Sequence, residues 1–365
     1  MFRNLLLKFA STISGAALTL AAIVLFFNFP SYDITLLTSE NDEHWNAIFL
    51  QAKEPFVNHN HLYQEGAHET KLSFRFVPAI ILNILDIDNK LKGLIFQFFT
   101  LIIFYYLLII NFIKLFKNRV KAFIFSLPIC FVISGHVYIS DYRGIFDTLA
   151  LDFLLISLYF RKSFIVIIPL LLAYFTDERS LIASPGIFII NIIQRDKFKE
   201  IKIIIYEYLY HANKYLFTSW ALYLILRLFL IIKIGLVTDT VGVTLFLEQI
   251  NKTLYTIYVG LEGFVVPLTL ILYSLLKLRI YAFTCLLMSY FLLICWAAQS
   301  VYDISRSMSY ALIFIIILLV LTNKIYSKKF VNKLIFGITF INIISVFSYP
   351  LVAQLYRMKF ITQSI

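Results

Sequence analysis

The chain has 365 residues, 61% of them hydrophobic and 15% charged, with a formal net charge of +11. A water-soluble domain of this size could not keep so much apolar side chain off its surface, so the solvent must be lipid. The positive charge does not mark a nucleic-acid partner, because Lys and Arg stand in short clusters at the ends of apolar runs, where they orient a membrane protein.

Runs of about 20 apolar residues, enough to cross ~30 Å of hydrocarbon, recur from end to end. They predict an all-α polytopic protein whose single membrane domain covers residues 1–365. The first predicted span, Leu5–Phe29, follows Arg3 and Lys8 and is longer than the core of a secretory signal, which points to a signal anchor. The Ala-rich patch from Ala16 to Ala22 leaves cleavage open as the alternative. Residues 30–93 form a long polar loop with one apolar stretch, Phe74–Ile87, that is too short to cross and carries Arg75; a re-entrant or interfacial helix is expected there.

Further spans are predicted over Leu94–Phe116, Ala122–Ile139, Phe146–Phe160, Phe164–Phe175, Leu181–Ile193, Tyr215–Leu236, Tyr258–Leu276, Tyr281–Ala298, Ala311–Thr322 and Leu334–Leu355. With the first, that makes about eleven. If Phe74–Ile87 does not cross, the clusters Lys114/Lys117/Arg119/Lys121, Arg161/Lys162, Arg195/Lys197/Lys199/Lys202, Lys277/Arg279 and Lys324/Lys328/Lys329/Lys333 all fall on the side of the N-terminus. The positive-inside rule then puts the N-terminus in the cytoplasm and the C-terminus, with Arg357 and Lys359, on the outer side of the cytoplasmic (inner) membrane.

The outer segments differ from the basic inner loops. Loop 30–93 holds Asp42 and Glu43 beside His44, and His59, His61 and His68 follow. Later outer turns carry Asp141, Arg143 and Asp147, then Asp177, Glu178 and Arg179, then Asp303 and Arg306. Convergence on one side predicts a polar cavity, with carboxylates for proton transfer and planar guanidinium groups for phosphate. His59, His61 and His68 with Glu69 offer metal donors, but their spacing matches no zinc pattern, so ordinary hydrogen bonding is expected and no metal is assigned. Cys130, Cys285 and Cys295 lie in apolar runs without CxxC spacing and are expected to be small core residues. Asp152 and Arg227, the ionisable residues deepest in apolar runs, are expected to pair with each other or to serve the reaction.

The order of these motifs resembles the GT-C superfamily of polytopic glycosyltransferases. Asn41-Asp42-Glu43-His44-Trp45 occupies the place of that family's acidic motif in the first outer loop. His68, Arg75 and Pro78 introduce the short helix, and Asp141-Tyr142-Arg143-Gly144-Ile145-Phe146-Asp147 and Thr176-Asp177-Glu178-Arg179-Ser180 resemble its charged turns. Asp303-Ile304-Ser305-Arg306 resembles the phosphate-side Asp and Arg of some bacterial members.

The resemblance implies a donor sugar linked to polyprenyl phosphate, a glycan or lipid acceptor in the envelope, Asp42 as base with Glu43 as its alternative, and Arg75, Asp141, Arg143, Asp147, Glu178, Arg179, Asp303 and Arg306 around the donor phosphate. No cofactor is expected; a divalent cation stays open, since some members need one and others do not. An O-antigen or capsule polymerase is the nearest alternative, but it relies on a large late outer loop. A lipid-linked sugar flippase or transporter would show internal repeats and broken helices.

Overall fold

The computed structural model describes residues 12–27, 43–59, 62, 72–140, 145–194, 214–236, 242–301 and 303–363. Every regular element among them is helical, as the apolar runs predict. Helix α1 is Ile13–Phe27, α2 is Glu43–Lys53 and α3 is Phe76–Ile84. Asn89 opens α4, Lys90–Phe116, by accepting a hydrogen bond from the Lys92 N–H at 3.0 Å, which satisfies one of the orphan amides of the first turn. The helix stops at Lys117, whose backbone is left-handed, and Asn118 caps α5, Arg119–Ser126, in the same way. A 3₁₀ segment over Leu127–Phe131 then interrupts the run at Pro128, which lacks the N–H a continuing helix needs. Helix α6, Ile133–Ser140, leaves at 67° to the preceding axis.

Helix α7 is Ile145–Phe160, α8 Ile167–Tyr174, α9 Arg179–Ala183 and α10 Pro185–Gln194. Helix α11, Lys214–Phe229, runs through a π-helical turn and ends at Gly235 with φ 74°. The rest are α12 Gly242–Gln249, α13 Thr253–Leu261, α14 Val265–Lys277, α15 Tyr281–Gln299, α16 Ile304–Ser307, α17 Leu312–Ile325 and α18 Lys328–Gln363.

Six stretches among the described residues are long and apolar enough to cross a membrane: Lys90–Phe116, Lys214–Ile234, Leu245–Lys277, Tyr281–Gln299, Ile304–Ile325 and Lys328–Val346. The bent pair α5/α6 makes a seventh if it counts as one crossing. These coincide with predicted spans. The remaining predicted spans fall on shorter helices, α1, α7, α8 and the α9/α10 pair. Helix α7 has 16 residues, about 24 Å at ~1.5 Å per residue, which is less than the ~30 Å of hydrocarbon. Helix α3 has nine residues and cannot cross, as expected for the stretch that contains it.

Contacts between helix ends sort the charges. Lys114 donates to the Tyr159 carbonyl at 2.5 Å, Lys121 reaches Asn323, and Lys324 reaches the Ile193 carbonyl. Arg161 is buried between the ends of α7 and α10, donating to Asn191, Gln194 and the Leu158 carbonyl. The basic groups of α4, α5, α7 and α17 therefore share one end of the bundle, called here the basic end. The starts of α3, α7, α9 and α16 meet at the opposite, polar end.

Helix α17 is the centre: every residue from Leu312 to Thr322 is buried, and it packs on α10 and α14. Helix α11 lies at the edge and turns Leu224, Ile225, Leu228, Phe229 and Ile232 outward. Such a continuous apolar surface suits lipid. Cys130 and Cys295 are buried as expected, whereas Cys285 lies on the exposed face of α15. A smaller core at the polar end joins Trp45, Ile48 and Leu82 of α2 and α3 to Ile145, Phe146 and Leu149 of α7. Gly93 makes room for it, since a Cβ there would stand 2.6 Å from the Trp45 ring. Gly93→Ala should therefore push Trp45 off its seat and destabilise the protein by about 1–3 kcal/mol, read as a lower thermal midpoint in detergent with altered tryptophan fluorescence.

Candidate functional site

Seven charged side chains meet at the polar end and alternate in sign: Glu178, Arg75, Asp177, Arg179, Asp147, Arg306 and Asp303. Arg75, at the start of α3, gives Glu178 two parallel hydrogen bonds of 3.2 Å and places Nη1 3.2 Å from Asp177 Oδ2. Its guanidinium also lies 5.8 Å from the centre of the Phe146 ring. Asp177 sits in the turn before α9. Its Oδ1 accepts from the Arg179 backbone N–H at 2.9 Å and from Nε at 2.8 Å, while Oδ2 accepts from Nη2 at 2.6 Å. This local bond holds the Arg179 side chain in one orientation.

From there Arg179 reaches two other helices. Nη2 donates to Asp147 Oδ1 in the first turn of α7 at 2.7 Å, and Nη1 donates to Ser307 Oγ of α16 at 2.5 Å. The other oxygen of Asp147 lies 3.1 Å from Arg306 Nε. Asp303 caps α16 by accepting from the Arg306 N–H at 3.0 Å and from the Ser305 hydroxyl at 2.8 Å, and its second oxygen is 4.0 Å from Arg306 Nε.

Exposure follows position in the chain of charges. The carboxylates of Glu178 and Asp303 at its ends are 43% and 48% exposed, while Asp177 and Asp147 in the middle are 0% and 1% exposed. Burial raises the Asp177 carboxyl, but Arg179 and Arg75 outweigh that effect and hold it well below the usual carboxylate range. For Glu178 the penalty of burial is likewise outweighed by Arg75, and the group is lowered. The centre is thus a neutralised lock; the ends are what a ligand can reach.

Two aromatic groups belong to this site. Tyr310 is buried with its ring 5.0 Å from the Arg179 guanidinium, and its hydroxyl has no hydrogen-bond partner among the described residues. Phe74, just before Arg75, lies under the Arg227 guanidinium at 4.3 Å. Arg227 Nη1 donates to the Tyr223 hydroxyl at 2.5 Å, and no carboxylate pairs with it among the described residues. The expected Asp152–Arg227 pair does not form. Asp152 instead accepts from the Tyr138 hydroxyl of α6 at 3.0 Å, while Arg227 bonds Tyr223 one turn earlier on its own helix.

Of the predicted site residues, Arg75, Asp147, Glu178, Arg179, Asp303 and Arg306 come together. Asp42, Asp141, Arg143, His61 and His68 lie outside the described residues, as does the side chain of Glu43, whose backbone begins α2. His59 faces Glu54 at 3.8 Å, and the described residues contain no group of three or more His, Cys, Asp or Glu able to hold a metal. Sequence reasoning passed over Ser307 and Tyr310. A signal was present, since Ser307 and Tyr310 lie one and four residues beyond Arg306 on the same helical turns. The chain matches no family model, no curated protein and no solved structure.

Arg179→Ala leaves Asp147 and Asp177 buried without their shared cation, and should cost about 3–5 kcal/mol of stability, measured by thermal unfolding in detergent. Arg179→Lys should recover little of it, because one ammonium cannot reproduce the planar fork. Asp177 and Glu178 have folded values below their unfolded ones, so their contribution is present above about pH 4 and fades as pH falls below it. A thermal midpoint that drops through that acid range is the expected outcome.

Proposed function

We propose that this chain is a glycosyltransferase that moves a sugar from a polyprenyl-phosphate-linked donor to a glycan or lipid acceptor on the outer face of the cytoplasmic membrane. The observation that carries the reading is the alternating chain of charges at the polar end, buried and self-neutralised in its middle but open at Glu178 and Asp303. In this reading the N-terminus and the basic end face the cytoplasm, about eleven segments cross in a GT-C-like arrangement, and the polar end faces outward.

A base takes the proton of the acceptor hydroxyl, whose oxygen bonds to the anomeric carbon as the bond from that carbon to the phosphate oxygen breaks. Polyprenyl phosphate leaves as an anion, so no strong general acid is needed, and direct displacement inverts the anomeric centre. Asp42 is the proposed base and Glu43, at the start of α2, its alternative. Arg306 at the reachable end of the chain of charges binds the leaving phosphate by charge and hydrogen bonding. Arg227 adds a second guanidinium beside the Arg75 end, on a helix whose outward face suits a lipid tail.

A second reading, a flippase for the same lipid-linked sugar, is favoured by the helix breaks at Pro128 and Glu262, since interrupted helices line transport sites. The deciding assay is transfer of radiolabelled sugar from lipid-linked monosaccharides by membranes holding matched amounts of each variant. Arg306→Ala should lower turnover by about 10²–10³-fold, the loss typical of removing one donor to a developing anion. Asp42→Asn should lower it by about 10²–10⁴-fold. Unchanged transfer in Asp42→Asn would move the base to Glu43, and wild-type membranes that transfer from no lipid-linked monosaccharide would leave the flippase reading in its place.

A further inference from the structure

At the polar end, a cleft of about 570 Å³ opens between α2 and the turn that joins α3 to α4. Arg75 stands at the start of α3 and the cleft at its far end, nine helical residues or about 14 Å away, so the cleft is separate from the chain of charges. Its walls follow from local chemistry. Asp86 lies just beyond α3 with φ 52°, in the left-handed region, and the N–H groups of Asp86 and Ile87 turn back to the carbonyls of Asn83 and Leu82 at 3.1 and 2.9 Å. This turn closes the helix and reverses the chain. Asn83 Nδ2 donates to the Ala52 carbonyl at the end of α2 at 2.7 Å, which fixes the spacing of the two walls. Phe49, Leu82 and Ile87 line the cleft with apolar surface. A preformed, largely apolar cleft of this size with a few polar groups suits a small ligand.

Three charged side chains line it as well, Lys53, Asp86 and Asp88. Asp88 is already engaged: Lys92 Nζ lies 2.8 Å from Oδ1, and Asn89 Nδ2 donates to the same oxygen at 2.9 Å. Lys92 also donates to the Asp86 carbonyl at 3.1 Å. The Asp86 carboxylate and the Lys53 ammonium form no hydrogen bond or ion pair among the described residues, either with each other or with a neighbour. One cleft thus offers a cation and an anion held too far apart to satisfy each other. A ligand that answers both carries an anion for Lys53 and an N–H-bearing cation for Asp86.

Lipid lies next to this cleft. Helix α4, long and apolar enough to cross a membrane, begins two residues after Asp88. Ile84 and Leu85 at the end of α3 are exposed, and so are Leu91, Ile95 and Phe99, which follow one stripe of α4 at a spacing of four. The cleft therefore sits where head groups meet the protein, with apolar surface leading away from it along α4.

We propose that this cleft binds the head group of a zwitterionic phospholipid with a primary ammonium, the phosphate on Lys53 and the ammonium on Asp86, with acyl chains along Leu91, Ile95 and Phe99. A site for an anionic lipid would present cations alone, whereas this one presents both signs. The assignment stands whether or not the chain transfers sugar.

Full-length protein in mixed micelles holding equal amounts of phosphatidylethanolamine, phosphatidylcholine and phosphatidylglycerol tests this, with retained lipid identified by native mass spectrometry. The wild type should keep phosphatidylethanolamine with a preference of roughly threefold to tenfold over phosphatidylcholine, whose quaternary ammonium has no N–H to donate. Asp86→Asn should erase that preference, while Lys53→Ala should weaken retention of both lipids by a similar factor, since both carry the phosphate. Neither side chain supports another in the structure, so both variants should keep the wild-type thermal midpoint. Equal retention of the three lipids by the wild type, a preference for phosphatidylglycerol, or no retained lipid would overturn the proposal, as would a preference that survives Asp86→Asn.

Discussion

Arg179 joins three parts of the chain that share no sequence neighbourhood. Its fork is filled on one side by Asp177, two residues earlier, and on the other by Asp147 of α7 and Ser307 of α16. Two buried carboxylates would be intolerable without it, and a buried guanidinium would be equally so without them. The packing of the short helices at the polar end follows from this mutual need. Arg75 is drawn to Asp177, which fixes the start of α3, and Arg306 is drawn to Asp147, which fixes α16.

The same constraint separates structural charge from reachable charge. In the middle of the chain each group already has its partners, so a phosphate or an acceptor would have to displace a neighbour of opposite sign. At the ends the carboxylates of Glu178 and Asp303 meet solvent, and Arg306 stands between the buried lock and that edge. The lock therefore holds the shape of the polar end, and in the proposed glycosyltransferase reading the chemistry belongs to its rim. Within the bundle a different device applies: helices break at Pro128 and Glu262, and Asn342 replaces the lost backbone bonds. Both devices obey one rule, that a polar group away from water must find its partner inside the protein.

Much of this was legible in the residues. The apolar runs announced helices, and the shortness of Phe74–Ile87 announced that α3 does not cross. Clustering of Lys and Arg at run ends foretold the basic end, although Arg161 turned out to be buried among Asn191 and Gln194 rather than solvated. Charged turns at Arg75, Asp147, Glu178, Arg179, Asp303 and Arg306 were expected to converge, and they do. The pairing of Asp152 with Arg227 was not correct, because complementary charge says nothing about distance: Asp152 bonds Tyr138 of α6 and Arg227 bonds Tyr223 of its own helix.

Composition and run length alone determined that this chain is helical and that its surface needs lipid, since both depend only on how many apolar residues stand in succession. They also determined which turns carry charge. Only the tertiary structure decided that α17 is central while α11, also long and apolar enough to cross a membrane, lies at the edge. It alone decided that Asp177, rather than its neighbour Glu178, is the buried centre of the charged turn, and that Gly263 and Pro128 meet Asn342 at a crossing of broken helices. The physical reason is the same in each case. Lipid and protein interior are both apolar, so hydrophobicity cannot rank helices by depth, and the partner that makes a buried charge tolerable comes from a segment far away along the chain.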